Sequence, residues 1–250
     1  MITSSHWTIA KEYQHSEASK DFSTLDKVFS LSGELITSDN RSNVHKVEID
    51  GIIYYVKRYT CAGKGLRKYI GRSRIRAEWE NMLLFHKLGV PAANIVAYGE
   101  EKKWGVMSRG AMITEEVKNS KDLLAMAEEN SPLLKNRKWI TQVIQQVADL
   151  TRNLHQNRFV HTDLKWRNIL VTQEDNPKVA LIDCPAGSIT HPLFLKRGII
   201  KDLACLDKRG KYNLSKTLRM KFYTLYTGRK LSAIDKELIA RLLRFFEGRE

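Results

Sequence analysis

The stretch His161-Thr162-Asp163-Leu164-Lys165-Trp166-Arg167-Asn168-Ile169-Leu170 is the most informative part of this 250-residue chain. Asp163 is followed five positions later by Asn168, and an apolar run at 179–182 ends in a second carboxylate, Asp183. Phosphoryl-transfer loops use one carboxylate to accept a hydroxyl proton, and an amide oxygen and a second carboxylate to hold divalent ions. The spacing therefore predicts such a loop, although Asp and Asn alone are also common turn formers.

The segments around this loop follow the order expected of the large lobe of a kinase. Residues 168–172 and 178–183 predict two short strands joined by the polar turn 173–177. Residues 139–156 predict an amphipathic helix. Its apolar stripe consists of Ile140, Val143, Ile144, Val147 and Leu154.

An upstream strand carries a lysine that needs a partner. Residues 51–59 are β-branched and aromatic, which predicts a strand, and Lys57 lies inside it. Burying an ammonium group is costly unless the group is paired. Residues 76–84 predict a helix with two acids, of which Glu78 is the preferred partner and Glu80 the alternative. Such a pair would orient the lysine onto the α- and β-phosphates of a nucleotide, whereas an edge-strand lysine would simply face water.

The sequence lacks the glycine-rich phosphate loop G-x-G-x-x-G. A hairpin of residues 33–37 and 44–49 is predicted in its place, with a polar turn at 38–43. This turn could offer backbone N–H groups and the Arg41 side chain to phosphate oxygens. An ordinary hairpin tip explains the pattern equally well.

The link between the two predicted lobes is identified by position. Residues 112–117 predict a strand that ends in a polar stretch. In a two-lobed kinase, exposed backbone at this place meets the edge of the adenine ring. Glu115 and Val117 are therefore predicted nucleotide contacts.

Composition agrees with one compact two-lobed enzyme. At 42% hydrophobic residues the chain has enough apolar material for a sizeable core, and it has no repeats or low-complexity tracts. We predict a small lobe at 1–117, in which 1–25 form a polar arm or an added helix, and a helical lobe at 118–250. No secretory segment or membrane span is expected. The three scattered cysteines are expected to be reduced thiols.

A formal net charge of +14 indicates an anionic partner. The basic residues of 64–76 alternate with Leu66, Tyr69 and Ile70, which suits an anionic membrane surface. Solvated helix faces are the alternative interpretation. No nucleic-acid-binding signature is found, so no nucleic acid partner is expected. A second basic group comprises Lys208, Arg209, Lys211, Lys216, Arg219 and Lys221.

The ordered motifs resemble the Kdo/WaaP type of lipopolysaccharide kinase from about Gly33 to the C-terminus. This family is related to eukaryotic-type protein kinases and to the compact RIO-like kinases. The resemblance implies an α+β, bilobal, protein-kinase-like fold, with a small antiparallel sheet lobe containing one main helix and a mostly helical large lobe. It also implies ATP-dependent phosphorylation of a heptose or Kdo hydroxyl in the inner core of lipopolysaccharide. The motifs are Tyr54-Tyr55-Val56-Lys57, Ala77-Glu78-Trp79-Glu80-Asn81, Leu88-Gly89-Val90-Pro91, Ile113-Thr114-Glu115-Glu116, His161-Thr162-Asp163-Leu164, Asn168-Ile169-Leu170, Ile182-Asp183 and Lys201-Asp202-Leu203-Ala204.

The resemblance implies a role for each matching position of the large lobe. Asp163 would be the catalytic base, and Lys165 would stabilise the migrating phosphoryl group. Asn168 and Asp183 would be the Mg²⁺ ligands. Asp202 would brace the catalytic loop through its backbone.

In the small lobe, Lys57 would contact the nucleotide phosphates while Glu78 holds it in place. Two positions depart from the protein-kinase pattern. Thr162 stands before the base, where protein kinases usually carry Arg, so control by a phosphorylated activation loop is not expected. Cys184 follows the metal-binding aspartate in place of Phe, which argues against a phenylalanine switch.

Chain length bears on the acceptor. Nineteen positions separate Asp183 from Asp202, which leaves room for a short loop at 186–200 and about three helices. A sugar acceptor on the lipopolysaccharide core suits this length better than a protein, with a compact RIO-like protein kinase as the alternative. The expected location is peripheral, at the cytoplasmic face of the inner membrane of a Gram-negative bacterium.

Overall fold

The chain forms two compact units in the computed structural model, which describes residues 3–62, 69 and 71–246. The first unit comprises Met1–Leu83 and Ala93–Glu116, and the second comprises Leu84–Ala92 and Val117–Glu250. These units differ from the predicted lobes mainly in Leu84–Ala92, which the prediction assigned to the small lobe.

The first unit is built on an antiparallel sheet of six strands. The strands are β1 (Thr3–Ile9), β2 (Glu34–Ser38), β3 (Ser42–Ile49), β4 (Ile52–Tyr59), β5 (Ile95–Lys103) and β6 (Val106–Glu115), in the spatial order β1-β5-β6-β4-β3-β2. The turn between β3 and β4 is Asp50-Gly51, with positive φ at both residues. Such two-residue turns match the twist of the flanking strands and fix the hairpin register.

Two short helices, α1 (Ala18–Asp21) and α2 (Leu25–Ser30), pack their apolar side chains against this sheet. The Phe22 ring meets the Tyr54 ring edge to face, with centroids 5.1 Å apart. Leu25 and Val28 are buried in the same cluster as Val56 of β4. Each large apolar side chain removed from water in this way contributes about 1.5–3 kcal/mol.

For 1–25 the predicted polar arm is wrong for the described residues from Thr3 onward, and the alternative, an added helix, is right only for α1 at Ala18–Asp21. β1 pairs with β5 over its whole length, and the Trp7 indole N–H donates to the Phe22 carbonyl at 2.7 Å. Six apolar residues of this segment belong to the core cluster beneath the sheet or pack against it: Trp7, Ile9, Tyr13, Ala18, Phe22 and Leu25. The sequence hid this arrangement because β5, the partner strand, lies far along the chain.

A longer helix, α3 (Arg74–Lys87), carries the acids predicted to pair with Lys57. Its buried positions recur at helical spacing, so one stripe faces the interior. Glu78 lies on that stripe, whereas Glu80 does not. The buried positions of the stripe are Ile75, Glu78, Trp79, Met82 and Phe85.

The second unit is mostly helical. Its central helix, α5 (Arg137–Gln156), follows the shorter α4 (Leu123–Glu128) and begins where Asn136 accepts the N–H groups of Lys138 and Trp139 at 3.1 Å. All five residues of its predicted apolar stripe are buried, so that prediction is confirmed. The remaining helices are α6 (Pro192–Asn213), α7 (Lys216–Thr227) and α8 (Ala233–Leu243).

Small sheets position the central loop of this unit. The strands are β7 (Ser120–Asp122), β8 (Phe159–Val160), β9 (Ile169–Thr172), β10 (Val179–Leu181) and β11 (Ser188–Ile189). β9 pairs with β10 and β7, which confirms the two predicted strands, and β8 pairs with β11.

The predicted loop at 186–200 is wrong in its second half, because α6 already begins at Pro192. His191 caps this helix by accepting the Leu193 N–H. Proline suits the first turn of a helix, where its missing N–H has no partner to lose. Exposed apolar side chains in the first turn masked the helical periodicity.

Candidate active site

In the first unit, the predicted ion pair joins β4 to α3. The Nζ of Lys57 lies 2.7 Å from Oε1 of Glu78, and the Glu78 side chain is 1% exposed. The hydroxyl of Tyr59 donates to Oε2 of the same carboxylate at 2.8 Å. Burial and the negative charge of Glu78 raise the pKa of Tyr59 well above its ordinary value. The prediction that Glu78, and not Glu80, pairs with Lys57 is therefore confirmed.

Tyr59 was not predicted, although a signal existed. It lies two residues after Lys57 on the same strand, so both side chains leave the sheet on the same face. Glu80, in contrast, accepts from Arg72 at 2.9 Å and from Arg76 at 2.7 Å on the exposed side of the helix.

The turn between β2 and β3 is closed by its own carboxylate. Oδ1 of Asp39 accepts the N–H groups of Arg41 at 2.7 Å and of Ser42 at 2.8 Å. These hydrogen bonds hold the pKa of Asp39 below its ordinary value. A phosphate would have to displace Asp39 to use these two N–H groups, and the exposed side chain of Arg41 is the contact that the turn offers.

At the end of β6, two tyrosines bind the two adjacent acids. Tyr13 donates a short hydrogen bond to Glu115, and Tyr55 donates to Glu116 at 3.4 Å. The backbone N–H of Glu115 bonds to the carbonyl of Asn94 at 3.0 Å. Val117 accepts the Ser120 N–H at 3.2 Å. Nucleotide contact by Glu115 and Val117 stays a prediction.

In the second unit, cationic and amide groups surround Asp163. The Nζ of Lys165 lies 2.6 Å from Oδ1 of Asp163, and the Arg167 guanidinium lies 3.3 Å from Oδ2. Burial opposes ionisation of this carboxyl group, but the two cations outweigh it, so the pKa of Asp163 lies below its ordinary value. The carboxylate is therefore charged at neutral pH.

The two predicted metal ligands lie at the ends of paired segments. Asn168 is buried, and its backbone carbonyl accepts the N–H of Ile182 at 3.0 Å, directly before Asp183. Its side-chain Nδ2 donates to the main-chain oxygen of Asp163 at 2.9 Å. An amide oxygen and a carboxylate are hard ligands that suit Mg²⁺, which takes its other ligands from phosphates and water. The described residues contain no group of three or more His, Cys, Asp or Glu that could hold a metal ion.

Thr162 and Asp183 both adopt left-handed backbone conformations, with φ of 67° and 58°. Side chains other than glycine rarely do so, and such strain persists where the surroundings hold it. Here the fully buried Asp202 provides the support at Thr162. Its carboxylate accepts the N–H groups of His161 and Thr162, each at 2.7 Å. The predicted bracing of the loop by Asp202 is confirmed.

Two residues that support Asp202 were missed from the sequence. Nε2 of His155 lies 3.3 Å from Oδ2 of Asp202, and Nδ1 of His155 is 2.8 Å from the Tyr226 hydroxyl. The sequence indicated only that His155 precedes the loop. No local signal connects it to Tyr226, which lies on α7.

His161 has a structural role beside the catalytic loop. It is fully buried, and burial lowers the pKa of its imidazole. Its ring stacks on Phe85 with centroids 6.0 Å apart. Neither ring nitrogen has a hydrogen-bond partner in the part of the chain that is described.

The predicted basic surface at 64–76 lies partly outside the described residues, because 64–68 and 70 are not among them. Arg72 and Arg76, at its described end, pair with Glu80. In the second basic group, Arg219 forms a two-pronged ion pair with Asp207 at 2.6 and 2.8 Å. No helix of the described residues is both long and apolar enough to cross a membrane.

The profile of the Lipopolysaccharide kinase (Kdo/WaaP) family matches residues 30–236. The chain belongs to this family. Membership in a kinase family implies ATP as the phosphoryl donor.

The relatives include two sugar kinases. A 3-deoxy-D-manno-octulosonic acid kinase from Actinobacillus succinogenes is 32% identical over 112 residues, which cover 44% of each chain. The match thus spans less than half the length of that relative. Lipopolysaccharide core heptose(I) kinase WaaP from Pseudomonas aeruginosa is 24% identical over 230 residues, which cover 85% of this chain and 84% of that protein.

A solved structure supports the fold. The structure described as WaaP in complex with acyl carrier protein superimposes with a TM-score of 0.76 at 20% identity, covering 97% of this chain and 98% of that one. The protein-kinase-like α+β fold is confirmed by this match. The roles of the individual site residues stay predictions.

Proposed function

We propose that this protein transfers the γ-phosphoryl group of ATP to a hydroxyl of heptose or Kdo in the inner core of lipopolysaccharide. One observation supports the proposal most directly. In a chain of this kinase family, Asp202 holds the backbone of the loop that carries Asp163, and Lys165 contacts the Asp163 carboxylate. The named relatives act on these two sugars.

In this mechanism Asp163 orients the acceptor hydroxyl and takes its proton. Its lowered pKa keeps it ionised at neutral pH, so it accepts a hydrogen bond from the hydroxyl before transfer. A loose transition state demands positioning more than a strong base. Lys165, already 2.6 Å from Asp163, neutralises charge on the phosphoryl group as it moves.

Asn168 and Asp183 would hold Mg²⁺ through an amide oxygen and a carboxylate. A bound ion of this kind neutralises phosphate charge and orients the donor. Lys57, fixed by Glu78, would bind the α- and β-phosphates. Glu115 and Val117 would flank the adenine, and Arg41 would reach the phosphates from the β2–β3 turn.

The acceptor places the enzyme at the cytoplasmic face of the inner membrane in this proposal, as a peripheral protein on an anionic surface. A net charge of +14 supports an anionic partner. No nucleic acid partner is proposed. A compact RIO-like protein kinase is the second candidate, supported by the same catalytic groups.

Phosphate transfer to defined acceptors tests the proposal. Purified protein with ATP and Mg²⁺ is incubated with core oligosaccharides that lack phosphate, ending in Kdo or extended by heptose. We expect a mass gain of one phosphate on one of them. Asp163→Asn, which preserves shape but removes the carboxylate, is the inactive control. Incorporation into bulk protein with none into oligosaccharide would favour the protein-kinase alternative.

An acyl carrier protein is a further proposed partner, because the structurally similar WaaP is described in complex with one. An apolar cavity lined by residues of α4, α5, α6 and α7 supports it. A Cβ built on Gly210, which lines this cavity, would lie 3.6 Å from Oδ1 of Asp207, an ordinary van der Waals distance, so alanine fits there without a clash. The cavity is lined by apolar side chains that include Ile140, Val143, Val147, Trp166, Leu206 and Phe222.

An acyl chain would suit such a cavity, and two substitutions at Gly210 test this. Gly210→Leu should fill the space and weaken binding of an acylated carrier protein, whereas Gly210→Ala should leave binding unchanged. Calorimetric titration measures both. Equal affinity of the two variants would remove the cavity from the proposal.

A further inference from the structure

Three large apolar side chains are exposed in one short segment of the second unit. Ile189 is 61% exposed, Leu193 is 81% exposed and Phe194 is 65% exposed. We call these three residues the apolar ridge. Single exposed apolar residues are normal on protein surfaces, but a contiguous group marks an interaction site.

The ridge is fixed beside the catalytic loop. Ile189 pairs with Phe159 and Ser188 pairs with Val160 in the β11–β8 ladder. In the second turn of α6, Gly198 packs on Val160 so closely that a Cβ would lie 2.5 Å from a Val160 methyl group. β8 is thus held by β11 and by α6, and it leads directly into the loop that carries Asp163.

Basic side chains accompany the ridge. Lys196 and Arg197 are exposed, and Lys201 is half-buried. At 100° per residue, Arg197 and Lys201 fall on the same face of α6 as Leu193 and Phe194. The sequence from Ser188 to Lys201 contains no acidic residue.

We infer that the apolar ridge and its basic neighbours dock on an anionic lipid bilayer and thereby present a lipid-anchored acceptor to Asp163. Apolar side chains enter the boundary between headgroups and acyl chains, while Lys and Arg bind anionic headgroups. A second copy of the chain fits less well, because two basic faces would repel each other. The presentation of the acceptor rests on the proposed function, whereas the lipid contact does not depend on it.

Flotation with lipid vesicles tests the contact directly. The full chain is mixed with vesicles of phosphatidylethanolamine and phosphatidylglycerol, or of phosphatidylcholine alone. We expect binding to the anionic vesicles. The triple variant I189S/L193S/F194S should bind at least about tenfold more weakly, because the apolar area that inserts is lost.

A matched control comes from α8, where Ile234 is 77% exposed and Leu243 is 49% exposed. The variant I234S/L243S removes exposed apolar groups from the same unit and should bind vesicles like the unchanged protein. Thermal melts verify that both variants fold.

The basic contribution is tested separately. K196Q/R197Q should weaken binding to anionic vesicles by about fivefold for each charge removed. It should also reduce the loss of binding caused by added salt. Unchanged affinity and unchanged salt dependence would contradict the electrostatic part of the inference.

Activity separates this inference from the proposed function. The triple ridge variant should phosphorylate a soluble, deacylated core oligosaccharide at the normal rate, but a lipid-anchored acceptor in vesicles at least about tenfold more slowly. If the unchanged protein phosphorylates neither acceptor, the proposed function fails, while flotation still decides the lipid contact. The inference is overturned if the triple variant floats normally, or if it loses only self-association or binding to an acyl carrier protein.

Discussion

The side-chain amide of Asn168 donates to the main-chain oxygen of Asp163 at 2.9 Å. This bond fixes which end of the Asn168 amide faces the loop. Because Nδ2 is the donor, Oδ1 occupies the other end of the amide and is available to a cation. One residue thus joins the position of the proposed base to that of the proposed metal.

Substitutions at Asn168 should separate these two contributions. Asn168→Ala removes both, and we expect kcat to fall at least about 100-fold. Asn168→Asp keeps an oxygen ligand but cannot donate to the Asp163 carbonyl at neutral pH. It should therefore need no more Mg²⁺ than the unchanged protein for half-maximal rate, while kcat stays low. Mg²⁺ titrations of the initial rate measure both effects. A raised Mg²⁺ requirement in Asn168→Asp would contradict this division of roles.

The two acids of α3 offer a matched pair for the Lys57 contact. Glu78→Gln breaks a pair in which the acid is 1% exposed, so it should destabilise the protein by about 3 kcal/mol. It should also abolish the thermal stabilisation by ATP. Glu80→Gln breaks exposed pairs with Arg72 and Arg76 and should cost less than about 1 kcal/mol. Denaturant unfolding with and without ATP checks this, and similar losses in both variants would refute it.

Local sequence patterns were sufficient to predict much of the fold and the Lys57–Glu78 ion pair. The stripe of α5, the strand around Lys57 and the helix around Glu78 each have a clear periodicity, and a strand lysine needs an acid close by. The Asp163–Asn168 spacing likewise identified the loop without knowledge of its neighbours.

Contacts between distant segments could not be predicted in the same way. β1 is stabilised by pairing with β5, which lies far along the chain. Tyr226, which contacts His155, lies on α7. The start of α6 was missed because Leu193 and Phe194 face outward there, which removes the apolar stripe on which a helix prediction depends.

The pH dependence of turnover should depend on Lys165. The pKa of Asp163 lies below its ordinary value, so the carboxylate stays ionised, and its favourable contacts persist, until the pH falls through that lowered pKa. Lys165→Met removes the nearer cation and leaves burial, which acts in the opposite direction. The acidic limb of kcat/KM should therefore move to higher pH. The limb should move less in Arg167→Met, because that guanidinium is farther away and more exposed. An unmoved limb in Lys165→Met would show that Asp163 does not control it.

Asp202 accepts hydrogen bonds from the backbone of the catalytic loop directly, whereas Tyr226 is connected to Asp202 only through His155. Asp202→Ala leaves the N–H groups of His161 and Thr162 buried without an acceptor, so we expect a loss of about 3–5 kcal/mol in unfolding free energy.

Tyr226→Phe removes only the hydroxyl that bonds to His155, which should cost about 1 kcal/mol. If this network positions the loop, Tyr226→Phe should also lower kcat several-fold while KM for ATP stays constant. A merely structural role predicts the same loss of stability with unchanged kcat at a temperature where both proteins are folded. Steady-state rates measured well below both melting temperatures distinguish the two outcomes, because the loop that carries Asp163 then differs only in how firmly Asp202 holds it.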